Sequence, residues 1–143
     1  DMAASVALSV NGVFVAVGAG SAARFKQATS AVKASCAGML LLSVAEAVVL
    51  FADMGFWPYE IVLCALLTFM GFTLTASTTL ALESEREHAG TASALFGAMG
   101  FTSGAVVAPL VAVGNPMHST AIAFVVGAVV SSLLAHFALR CQS

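Results

Sequence analysis

Five long apolar runs, separated by short polar connections, constrain this chain more than any other feature. They fall at about 2–23, 32–52, 59–82, 90–113 and 118–139. Each is near the ~20 residues that a helix needs to cross ~30 Å of hydrocarbon at 1.5 Å per residue. In lipid a backbone must satisfy its own hydrogen bonds, so runs of this length are helices. A barrel strand would need only ~10 residues with alternating polarity. The pattern predicts an all-α polytopic membrane protein with five transmembrane helices, residues 1–143 forming one membrane domain. Composition points the same way. The chain is 60% hydrophobic and 8% charged, where soluble domains carry about 25% charged residues. Five basic and seven acidic side chains do not cover a water-facing surface.

Several function classes are excluded early. A net charge of −2 supplies no basic field for nucleic acid. Cys36, Cys64 and Cys141 are far apart and odd in number, which fits neither a disulfide framework nor a zinc site. His88, His118 and His136 lie on different runs or connections, without metal-ligand spacing. No GxSxG, Walker A motif or nucleophile–base pair is visible, so no enzyme is expected, and no cofactor or metal. The chain opens on Asp1 with no cleavable signal before the first run, and reads as a piece of a longer protein.

The connections differ in chemistry from one side to the other. Arg24, Lys26 and Lys33 lie around the first connection, Arg86 lies in the third, and Arg140 follows the fifth run. All Lys and Arg therefore fall on one side, which the positive-inside rule makes cytoplasmic. The opposite side carries Asp53, Glu60 and Asn115, with Trp57 and Tyr59 set as an interfacial aromatic pair. Pro58 and Pro116 stand in first-turn positions, where a missing N–H is tolerated, and Asn115 precedes Pro116 as an N-cap. Ser84 and Glu87 have capping-box spacing at the start of the fourth run.

Small residues predict where helices approach closely. Ala123, Gly127, Ser131 and Ala135 recur every four residues on the fifth run. Ala89, Ser93, Gly97, Gly100 and Gly104 form a similar stripe on the fourth, with Pro109 near its far end. The first run holds Gly12, Gly18 and Gly20. Glu46 is the one acidic residue well inside a run. An intramembrane carboxylate is a candidate proton carrier or cation site, because desolvation favours its protonated form. The alternative is that Glu46 reaches the interface or bonds a neighbouring helix near Ser43. Asn11, mid-span in the first run, either lines a polar cavity or makes an interhelical hydrogen bond. The hydroxyls of the third run, Thr68 to Thr79, can return to their own backbone and do not by themselves imply water.

The residues 83–100 carry a resemblance. The run Ala89-Gly90-Thr91-Ala92-Ser93-Ala94-Leu95, followed by Gly97 and preceded by a charged turn, resembles the junction of helices ten and eleven in major facilitator superfamily transporters. The resemblance is closest to the bicyclomycin- and chloramphenicol-resistance drug exporters, and Ala108-Pro109-Leu110 fits its continuation. The connection Arg24-Phe25-Lys26-Gln27 departs from that pattern, being less basic. The resemblance implies that the five runs are helices eight to twelve, part of a C-terminal six-helix bundle in a bacterial inner membrane. It implies further that the N-terminal half of the carrier is missing from this chain. Function would then be proton-coupled efflux of small amphipathic compounds by alternating access, with the lipid bilayer, a small-molecule substrate and protons as partners. It places Asn11, Phe72, Thr75 and Phe101 toward the substrate cavity and leaves Glu46 as a possible proton site. A sugar or metabolite facilitator of the same fold is the alternative within transport. A non-transporting scaffold that associates through the Ala123–Ala135 face is the alternative outside it.

Overall fold

The computed structural model describes residues 2–22, 24, 28–84, 86–112 and 115–141. Ala23, Lys26 and Val113, and the side chains of Ser84 and Cys141, lie outside the described residues. The described chain is helical apart from its connections, with no strand among those residues. Its elements are α1 (Met2–Ala22), α2 (Ala28–Phe51), α3 (Phe56–Ser84), a 3₁₀ turn (Arg86–His88), α4 (Ala89–Val111) and α5 (Pro116–Cys141). Among the described residues, five helices are long and apolar enough to cross a membrane. Three of them outrun the hydropathy. The regular backbone of α2, α3 and α5 continues past the apolar centre into polar residues such as Thr29 and Glu83. Hydropathy marks the stretch matched to hydrocarbon, whereas helical hydrogen bonding persists into the interface.

α1 packs against α3, α3 against α2, and α2 against α5. α4 makes only slight contacts with α3 and α5. The burial pattern is compatible with a surface that faces lipid. Most of the residues turned inward are small, namely Ala22, Ala31, Ala76, Ala121, Ala128, Ser35, Ser43, Cys36 and Cys64, and they are joined by Val32, Val49, Leu50, Leu63, Leu66 and Glu46. The large apolar side chains, among them Leu41, Trp57, Leu95, Leu134 and Phe137, face outward. In water the second group would be inside. In lipid outward leucine costs nothing, and small residues let the backbones approach.

The closest approach is between α1 and α3, and it is reciprocal. A Cβ on Gly18 would strike the Thr68 carbonyl, and a Cβ on Gly71 would strike the Val15 carbonyl. Gly38 of α2 similarly receives the ring of Phe69. The stripes expected on α4 and α5 behave differently. Nothing lies within 4 Å of a Cβ placed on Gly97, Gly100, Gly104 or Gly127, and no α4 residue is buried. α5 instead buries Ala121 and Ala128 and packs Ala135 on a core of Ala31, Val32, Cys36 and Ala76. Those three alanines are spaced by seven, the heptad-type line of contact, not by four.

Two connections fix the register of the hairpins. After α2, the Met54 N–H donates to the Val49 carbonyl at 3.3 Å, a Schellman closure with Asp53 in the left-handed region (φ 49°). Gly55 follows at φ 89°, where a side chain would be strained. Before α5, the Asn115 Oδ1 accepts from the Met117 N–H at 3.1 Å, so Asn115 is the N-cap. The third connection corrects the expected capping box. α3 continues through Ser84, and α4 starts behind His88, which makes no side-chain cap. The 3₁₀ turn absorbs the chain reversal that a capping box would have marked.

Candidate functional site

Glu46 sits on the last three turns of α2, on the face that α3 covers after the 52–55 turn folds the chain back. It is fully buried, with a relative exposure of 0%. Neither carboxyl oxygen has a hydrogen-bond partner among the described residues. Ser43, one turn earlier, donates its hydroxyl proton to the Leu40 carbonyl at 2.9 Å instead. Tyr59 and Glu60, at the start of α3, lie within electrostatic reach of Glu46. An ionised carboxylate without a partner is the costly form of such a side chain, by several kcal/mol in order of magnitude. Tyr59 also lines a cavity of about 430 Å³ with Asp53, Gly55, Phe56 and Thr120, at the aromatic end of the α2–α3 hairpin.

A second cavity, of about 580 Å³, lies among α2, α3, α4 and α5. Its wall includes Met39, Met70, Thr73, Ser77, Phe96 and Ser131. The volume falls in the range of small-molecule sites, roughly 300–1,000 Å³. The lining is apolar with a few hydroxyls, and the Thr73 hydroxyl is bound to the Phe69 carbonyl at 2.8 Å and the Met39 sulfur at 3.2 Å. Two thioethers and an aromatic ring give a wall that adapts to ligand shape. The sequence does carry a signal for this cavity. Met70, Thr73 and Ser77 share one face of α3, but only the packing of α5 against α2 shows what that face encloses.

The four residues expected toward the substrate occupy different surroundings. The Asn11 Oδ1 accepts from the Cys64 thiol at 3.4 Å, which places Asn11 in the α1–α3 contact. Phe72 packs against the Ala31–Val32–Cys36–Ala76 core. It lies eight residues from Cys64, about 12 Å further along α3. Thr75 is half-buried on α3, and its carbonyl accepts from the Thr79 hydroxyl at 2.9 Å. Phe101 is 85% exposed on α4. The structure does not gather these four into one cavity, and none of them lines the 580 Å³ space. Cys36 and Cys64 are free thiols in the packed interior. Among the described residues, no group of three His, Cys, Asp or Glu is placed to hold a metal ion.

No protein-family model matches the chain, and no characterised protein or solved structure compared with it matches either.

Proposed function

We propose that this chain is the C-terminal part of a proton-coupled exporter of small amphipathic compounds, with a major facilitator arrangement in a bacterial inner membrane. The observation that carries the reading is the half-open 580 Å³ apolar cavity lined by α2, α3 and α5, with Phe96 of α4 at its wall. A site of that size with methionine, phenylalanine and scattered hydroxyls suits a greasy ligand with a few polar atoms. It suits a sugar poorly, because a sugar needs a dense set of hydrogen-bonding side chains. The Ala89–Leu95 resemblance supports the family. The clustering of Lys and Arg at one end supports a cytoplasmic assignment for that end. Glu46 supplies the exchangeable proton. α4, with its glycines uncovered and its large side chains outward, offers the surface on which the N-terminal half packs. Alternating access then moves the cavity's opening from one side to the other, and no bond is made or broken.

The direct test fills the cavity. Ser77→Trp in the full-length carrier, reconstituted in vesicles, is expected to lower export of a fluorescent amphipathic dye by about tenfold or more. An indole removes most of the space a small ligand needs. Leu41→Trp, at an outward position of α2 that does not line that cavity, serves as the comparison. Equal export by Ser77→Trp and the unaltered carrier would show that the ligand passes elsewhere.

A further inference from the structure

A further feature lies between α2 and α5, adjoining the cavity assigned to the ligand and sharing Cys36, Ala135 and Leu139 with it. At the end of the bundle where Lys and Arg gather, Lys33 of α2 and His136 and Arg140 of α5 converge on a cavity of about 460 Å³. Cys36, Ser132, Ala135 and Leu139 complete its wall, and among the described residues no Asp or Glu lines it. Further along the same two helices lies a groove of about 550 Å³, lined by Val44, Val48, Phe51 and Val125 among others. The two cavities are in phase. Val44 stands eleven residues after Lys33, and Val125 eleven residues before His136. Eleven residues are close to three whole helical turns, about 16 Å. Each helix therefore presents a side chain of the basic cavity, Lys33 or His136, and one of the apolar groove, Val44 or Val125, on one side.

We propose that this α2–α5 groove binds an anionic phospholipid. The phosphate sits among Lys33, His136 and Arg140, and an acyl chain runs toward Val44 and Val125. The charges are complementary to a phosphate diester. Lys33 lies five residues into α2, and Arg140 lies one residue from the end of α5, the depth of a headgroup at a membrane interface. Basic pockets between membrane helices recognise acidic headgroups by this chemistry. A free phosphate would use the cations alone and would leave the apolar groove unused. The assignment does not depend on the transport reading.

The test compares lipids with identical acyl chains on the full-length protein in detergent, with bound lipid counted by native mass spectrometry. Phosphatidylglycerol is expected to bind more tightly than phosphatidylcholine. Each cation near an acidic headgroup contributes about fivefold, so Lys33 and Arg140 together contribute about thirtyfold. Lys33→Gln with Arg140→Gln removes that preference, while Lys33→Arg with Arg140→Lys keeps it. Val48→Trp, which fills the apolar groove and leaves the cations in place, weakens phosphatidylglycerol as well. On the unaltered protein, raised salt weakens phosphatidylglycerol selectively, and inorganic phosphate in large excess does not displace it. Equal binding of the two lipids would overturn the proposal. Displacement by inorganic phosphate, with no effect of Val48→Trp, would assign the cations to a soluble anion instead.

Discussion

Gly18→Val is expected to detach α1 from α3. The two helices meet backbone to backbone, Gly18 against Thr68 and Gly71 against Val15. The atoms a new side chain meets are main-chain carbonyls, which cannot swing aside as the end of a flexible side chain can. Overpacking a well-packed contact costs about 1–3 kcal/mol and occasionally more, and the rigid neighbour puts this position at about 3 kcal/mol. The Asn11–Cys64 contact, at 3.4 Å in the same interface, would be lost with it. Gly71→Val should act equally, because the geometry is reciprocal. Gly12→Ala on the same helix, with nothing within 4 Å of the added Cβ, should shift stability by about 0.5 kcal/mol or less. Thermal unfolding of the full-length protein in detergent checks the contrast. Unchanged stability of Gly18→Val would mean that α1 does not lie against α3.

The second large effect concerns Glu46. Glu46→Leu removes a fully buried carboxyl that has no hydrogen-bond partner among the described residues. Replacing such a group by an apolar one of similar volume relieves its desolvation, so the variant should be more stable by about 1–3 kcal/mol. Coupling should fail at the same time, because leucine carries no proton. Glu46→Gln separates the two consequences. It keeps the shape, changes stability by about 1 kcal/mol or less, and still abolishes uphill transport. A residue that weakens the fold yet is needed for activity is the usual signature of a functional group held at the expense of stability. Strong destabilisation of Glu46→Leu would instead show that the carboxyl is a structural bond, and would remove it from the mechanism.

The five long apolar helices were legible because one physical rule dominates them. Lipid demands long apolar segments with satisfied backbones, and hydropathy reads those directly. The N-cap at Asn115 was legible for a similar reason, since the proline after it and the short polar connection admit little else. The packing partners were not. Gly18 and Gly100 look alike in sequence, yet one meets a neighbouring backbone and the other meets nothing. Local spacing says which face is small, and only the arrangement of helices says what faces it. The same holds for α5, where stripes spaced by four and by seven are both written into the residues and the α2 contact uses the second. Glu46 stood out as a lone acid in an apolar run. That Ser43 gives its proton to its own helix, leaving the carboxyl without that partner, depends on side-chain geometry no spacing encodes. The cavity walled by Met70, Thr73, Ser77 and Phe96 draws on several helices at once, and spacing along any one of them does not show it.

Proton coupling is tested most directly by one measurement. The full-length protein is reconstituted in vesicles with an acidic lumen, and uptake of a permanently charged aromatic cation is followed by fluorescence. A permanent charge prevents passive trapping by the acid interior. Outward flow of protons down their gradient should drive the dye inward above its equilibrium level. An ionophore that dissipates the gradient should return it to the level of protein-free vesicles. Accumulation that is the same with and without the gradient would contradict the account.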